Sequence, residues 1–232
     1  NNEKLQDKSI SFENFPAEIL LKILNFLEIN ALLKCSQTSK RFRVICYDDL
    51  LWQTINLSKK KVPTDFLKKV ISHGCKSLNL NETKLVGTLR LKNESQLTNL
   101  DLSGCSAMRH VFQELLISCH YLQKLTFTQP LNFETLSTLT SQNGKTLQVL
   151  NCWWNHQSLV LPLIQSILEN CTELKKLTFW NGVFPGNGIT YECGIYHRNV
   201  DYLVNNISPN IEKFSIAASD FRDQHIKILA SR

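Results

Sequence analysis

Residues 97–102 read Leu97-Thr98-Asn99-Leu100-Asp101-Leu102, and 25 residues later the chain repeats the pattern as Leu122-Gln123-Lys124-Leu125-Thr126-Phe127. Apolar residues at the first, fourth and sixth places return at Leu147–Cys152, Leu174–Phe179 and Ile211–Ile216. Two earlier triplets, Ile55-Asn56-Leu57 and Leu78-Asn79-Leu80, carry the second half of the pattern. The alternating triplets start 23, 22, 25, 25, 27 and 37 residues apart, so all steps but the last are nearly equal. Alternation over so short a stretch predicts a strand with one buried side. Between the strands, Val111–Ile117 and Leu161–Leu168 carry apolar residues at helical spacing, and Phe133–Ser141 and Val200–Ile207 do so more weakly. Strand, turn, helix, turn, recurring, predicts an α/β chain with a parallel sheet backed by helices. One such unit cannot bury its apolar face, whereas stacked neighbours can, and about seven units are present.

The rest of the composition bounds the function. The chain has 232 residues, 43% of them hydrophobic and 20% charged, which excludes wholesale disorder. No apolar run reaches the roughly 18 residues of a membrane span, and the polar start Asn1-Asn2-Glu3-Lys4 is unlike a signal peptide. The formal charge of +6 hints at an acidic partner but falls short of a nucleic-acid footprint. Eight cysteines include no CxxC, and Cys193 with His197 is only half of a zinc spacing, so no metal or cofactor is expected. Reduced thiols place the chain in the cytoplasm and/or nucleus. Cys75, Cys119 and Cys171 each stand three residues before a strand unit and read as packing under a turn, and Cys105 and Asn155 as turn residues. There is no HExxH, GxSxG or Walker loop, and the six histidines are scattered, so the chain is expected to do no bond chemistry.

Residues 12–57 do not follow the repeat. Phe15-Pro16-Ala17-Glu18-Ile19 opens a helix, since Pro suits a first turn and Glu18 its positive end. From Ile19 to Leu27 only Lys22 and Asn25 are polar, which makes a helix apolar nearly all round. Asn30 offers a cap for Ala31–Gln37 and Ser39 one for Lys40–Tyr47. So short a segment cannot hide that much apolar surface alone. It either packs wholly on the first repeat or leaves a patch that marks a protein-binding site. Residue types leave both readings open.

Phe15-Pro16-Ala17-Glu18-Ile19-Leu20, Ile23-Leu24, Leu32-Leu33, Ser39-Lys40-Arg41-Phe42-Arg43 and Asp49-Leu50-Leu51-Trp52 resemble an F-box. The strand pattern with its cysteines resembles the cysteine-containing leucine-rich repeats, and the two joined directly resemble the F-box proteins that carry such repeats. The resemblance implies a disordered tail over 1–11, a three-helix F-box over 12–54 and a leucine-rich-repeat solenoid over 55–232. In such a solenoid parallel strands line the concave face and helices the convex one, and here the carboxyl end carries no polar cap. It implies the substrate-recognition subunit of an SCF-type ubiquitin ligase, which binds a Skp-type adaptor and through it cullin and RING subunits. It also implies a protein substrate destined for proteasomal degradation. Phe12, Phe15, Pro16, Ile19, Leu20, Ile23, Leu24, Leu32 and Leu33 are the adaptor-contact candidates, some of which must form the internal core. The alternative is a non-catalytic repeat scaffold not coupled to ubiquitin transfer. Neither reading requires nucleic acid or membrane.

If the leucines point inward, alternation sends the third, fifth and seventh repeat positions to the concave face. The substrate candidates there are Trp153 and Trp180 at the seventh position of neighbouring units, Lys124, Lys176 and Lys213 at the third, and Asn151 and Thr178 at the fifth. A paired Trp is a hot-spot candidate, and the lysines suit an acidic or phosphorylated segment. The long final step inserts residues around 183–197, which read as a loop beside that face.

Overall fold

The computed structural model describes residues 12–128, 133–153, 160–180, 197–216 and 222–231. The tail expectation for 1–11, Asn155 and residues 183–196 of the insertion lie outside them. The chain divides into two compact units between Thr54 and Ile55.

The first unit is helical: a 3-10 turn over Phe12–Asn14, α1 over Ala17–Leu24, α2 over Ile29–Cys35, α3 over Lys40–Cys46 and a second 3-10 turn over Asp49–Trp52. The first helix ends at Leu24, earlier than its apolar run suggests. Asn25, Phe26 and Leu27 donate their N–H groups back to Leu21, Ile23 and Leu24 and tighten the end. The second helix starts at Ile29 with Glu28 as N-cap, not with Asn30. Starting there buries Ile29 and Leu32 on one face, and that gain outweighs the better capping residue. Ser39 does cap α3, its hydroxyl accepting from Phe42 N at 3.2 Å. Trp52 is buried, donates its indole N–H to Cys46 O at 2.9 Å and stacks on Tyr47 at 5.6 Å between ring centroids.

The second unit is α/β. Its strands are β1 (Thr54–Asn56), β2 (Lys61–Pro63), β3 (Ser77–Asn79), β4 (Lys84–Val86), β5 (Asn99–Leu102), β6 (Lys124–Phe127), β7 (Val149–Trp153), β8 (Lys176–Trp180) and β9 (Lys213–Ile216). Seven form one sheet in the order β1-β3-β5-β6-β7-β8-β9, and each described pairing from β3 onward is parallel. The helices α4 (Thr64–Ser72), α5 (Arg109–Ile117), α6 (Phe133–Asn143), α7 (Val160–Asn170), α8 (His197–Asn206) and α9 (Asp223–Ala230) alternate with the strands. Leu78, Leu100, Leu125, Leu150 and Leu177 share one register row and are all buried. Leu115, Leu136, Leu139, Ile164, Ile167 and Leu203 give the helices a matching buried side. A small parallel pair, β2 with β4, was not foreseen because three residues carry too little periodicity.

The turns after the strands repeat as well. Asn56, Asn79 and Asp101 each accept, through Oδ1, the N–H two residues on, at 2.9 Å. Three residues after each of these, Lys59, Glu82 and Gly104 hold left-handed backbone with φ of 59°, 52° and 65°. Only the third is glycine, the residue that adopts this region without strain. Thr83 is buried and donates its hydroxyl to Leu57 O at 2.8 Å, so a threonine does in that unit what the sequence assigns to Cys105 and Asn155 elsewhere. Cys75, Cys105, Cys119 and Cys171 are buried and take part in no disulfide among the described residues. Burial pushes the Cys119 thiol up to about 11 and those of Cys75, Cys105 and Cys171 up to about 12, which keeps them protonated and inert.

Gly144 follows α6, where a Cβ would sit 2.1 Å from Asn170 O at the end of α7. The backbones approach closely because nothing projects there. Gly144→Ala is expected to cost about 1–3 kcal/mol by forcing the two segments apart. Urea unfolding checks this, and a variant as stable as the parent contradicts the close approach.

Candidate functional site

The first unit presents α1 in three stripes. Glu18 and Lys22 lie four apart on an exposed polar line. Leu20 and Leu24 form a second line, both buried, and α1 packs against α3. Ile19 and Ile23 form a third line, and both stay exposed. The nine adaptor candidates therefore separate physically. Leu20, Leu24 and Leu32 are buried within the unit, and so are among the candidates expected to form its internal core. Phe12, Pro16, Ile19 and Ile23 are exposed, and Phe15 and Leu33 are half-buried. Phe12 meets Phe15 edge to face, with centroids 5.5 Å apart. The Arg41 guanidinium donates to Phe15 O and ties α3 to the chain entering α1.

Sequence reasoning missed the most exposed apolar residues of this unit. Phe26 is 89% exposed and Val44 75%, and Leu50 is also exposed. A helical wheel of α3 holds the signal for Val44: Ile45 and Cys46 take the buried side, and Val44 falls off it. Apolar surface concentrated on so small a unit marks an interaction site.

In the second unit, the sheet side opposite the buried leucines carries rows at fixed register. One row runs Ser77, Asn99, Lys124, Val149, Lys176, Lys213, and the next Asn79, Asp101, Thr126, Asn151, Thr178, Ser215. Lys124 and Lys213 are exposed and Lys176 half-buried, with Val149 interrupting the row. Asn151 is half-buried and donates Nδ2 to Thr126 Oγ1 at 3.1 Å. Thr178 is only 3% exposed, deeper than alternation along the strand indicates. Trp153 and Trp180 are register partners across β7 and β8, at a strand spacing of about 4.8 Å. Earlier in their row the side chains bond within the sheet: Asn81 Nδ2 donates to Ser103 Oγ at 2.8 Å, and Thr128 Oγ1 accepts from Gly104 N at 2.7 Å.

Among the described residues no group of three or more His, Cys, Asp or Glu side chains is placed to hold a metal. Nor is any helix among them long and apolar enough to cross a membrane. The feature set is one of surfaces: an apolar face on a small helical unit and a polar, lysine-bearing face on a sheet. Residues 12–58 match the F-box-like family, and these helices are accordingly an F-box-like domain, a module that generally binds Skp-type adaptors and is generally non-catalytic.

Proposed function

We propose that this chain is the substrate-recognition subunit of an SCF-type ubiquitin ligase. The F-box-like domain docks a Skp-type adaptor through Phe12, Pro16, Ile19 and Ile23, with Phe15 and Leu33 at the margin. The buried Leu20, Leu24 and Leu32 hold the helices that present them. The observation that carries the reading is the exposed Ile19 and Ile23 stripe within a domain of matching family. Through the adaptor the chain joins cullin and RING subunits.

The second unit is read as a leucine-rich-repeat solenoid, supported by the single-register leucine row and the recurring turns. The run Leu51–Leu57, passing straight into the first strand, is similar to that of the S-phase kinase-associated F-box protein. The outward sheet face holds a protein substrate through Trp153 and Trp180, with Lys124, Lys176, Lys213 and Asn151 suiting an acidic or phosphorylated stretch. Its contribution to ubiquitin transfer is positional: it keeps a substrate lysine near the thioester and raises the effective concentration.

Affinity capture with the full chain, with and without proteasome blockade, tests this. Adaptor, cullin and RING are expected in both samples, and the substrate is enriched under blockade. Capture of other proteins with no adaptor supports the uncoupled scaffold instead. Trp153→Ala combined with Trp180→Ala is expected to lower substrate capture at least about tenfold and leave adaptor capture unchanged. An undiminished substrate pull-down removes the tryptophans from the site.

A further inference from the structure

A depression of about 280 Å³ opens on the outward face of β3, β5, β6 and β7. Its polar lining is Ser77, Asn79, Asn99, Asp101, Lys124, Thr126 and Asn151. Most of these groups are already engaged. Asn79 Oδ1 accepts from Asn81 N, and Asp101 Oδ1 accepts from both the N–H and the hydroxyl of Ser103. Asn151 Nδ2 donates to Thr126. The Ser77 hydroxyl makes no hydrogen bond among the described residues, and neither do the side chains of Asn99 and Lys124, which also form no ion pair there. They are register partners on adjacent strands, so an amide and an ammonium stand at the same level, about 4.8 Å apart at the backbone.

We propose that this depression is a subsite for a peptide carboxylate, held between the Lys124 ammonium and the Asn99 amide. The proposal rests on reading the outward face as the surface that holds substrate, and it names the group that anchors there. Two donors at that spacing bracket the two oxygens of a carboxylate, and the ammonium makes a charge-assisted bond. The volume approaches that of small-ligand clefts and admits one or two residues. Asp101 decides between anions. It pairs in register with Thr126, two residues beyond the Asn99 and Lys124 pair, and repels a doubly charged phosphate more than a singly charged carboxylate. Lys176 and Lys213 lie two and three strands away beyond Val149, so the anchor is local and not shared with them.

A carboxylate reaches the site either as a chain terminus or as an Asp or Glu side chain. The test titrates the isotope-labelled full chain with three peptides: N-acetyl-tetra-alanine as the free acid, its neutral carboxamide, and a carboxamide with one internal glutamate. The first, the third or both are expected to shift the Asn99 side-chain amide and the backbone amides of Thr126 and Asn151, and the neutral peptide to shift none. A stronger effect from the free acid assigns a chain terminus, and from the glutamate peptide a side chain. Lys124→Gln is expected to weaken the effect about tenfold, and Lys69→Gln, at an exposed position on α4, to leave it unchanged. The proposal is overturned if no peptide binds, if the neutral peptide binds equally, or if both lysine variants weaken binding alike. Lys124 is exposed, so the variant keeps its fold. Adaptor capture is scored separately. Carboxylate binding without adaptor capture defeats the ligase reading and spares the subsite, and the converse defeats the subsite alone.

Discussion

Replacing Ile19 and Ile23 together by aspartate is expected to abolish capture of a Skp-type adaptor while the chain stays folded. Both side chains are exposed in the free protein, so charge there costs the fold little. Against an apolar partner surface the same two carboxylates are buried without counter-charges, and each removes an apolar contact as well. The combined loss is expected to exceed about a hundredfold in affinity, or roughly 3 kcal/mol. Leu20→Asp is the instructive contrast. That side chain is completely buried, and a charge there is expected to unfold the F-box-like domain. Co-purification of adaptor with each variant, alongside far-UV circular dichroism, separates the two effects. Full adaptor capture by a folded Ile19→Asp, Ile23→Asp chain would falsify the assignment of that stripe.

Asn143→Ala is expected to be the most damaging single truncation in the second unit. Asn143 has no exposed surface. Its Oδ1 accepts from Leu122 N at 2.8 Å, and its Nδ2 donates to Cys119 O at 2.8 Å and Leu139 O at 3.0 Å. One side chain thus closes the turn between α5 and β6 from the last turn of α6. Truncation leaves the Leu122 N–H and the Cys119 carbonyl without partners in a dry interior and opens a small cavity. The expected cost is about 3–5 kcal/mol. Asn143→Asp keeps the acceptor but sets a carboxylate against two carbonyl oxygens, and is expected to do no better. Urea unfolding together with hydrogen exchange of the β6 amides measures this. A change below about 1 kcal/mol would show that the turn stands without its asparagine.

Much of the second unit is legible because its cues are periodic. The L-x-L triplets locate all seven strands of the large sheet within a residue or two, since three positions say little alone but their recurrence at nearly equal steps marks them. The helices α5 to α8 are legible from their apolar spacing, whereas α4 was not read. Asn143 was not, because a polar residue near a helix end reads as solvated until its neighbours are in place. The left-handed turns at Lys59 and Glu82 were equally hidden, since neither residue advertises that backbone as Gly104 does. In the first unit the apolar excess of α1 was plain, but its division was not. Ile19 and Leu20 are chemically alike, and only the position of α3 decides that one is covered and the other bare. Thr178 shows the same limit, since alternation gives a direction and not the depth of what surrounds it.

The shared register of the strands has a consequence for how any ligand is measured. Each row places one side chain per strand, so the outward face is graduated in ticks of about 4.8 Å. An extended peptide advances about 6.4–6.8 Å for every two residues, so the two scales drift out of phase. A bound segment crossing the strands meets a matching tick only at intervals, like a vernier. Selectivity on such a face is set by the interval between a ligand's anchoring groups, and lengthening a ligand by one residue costs more than exchanging one side chain for a similar one.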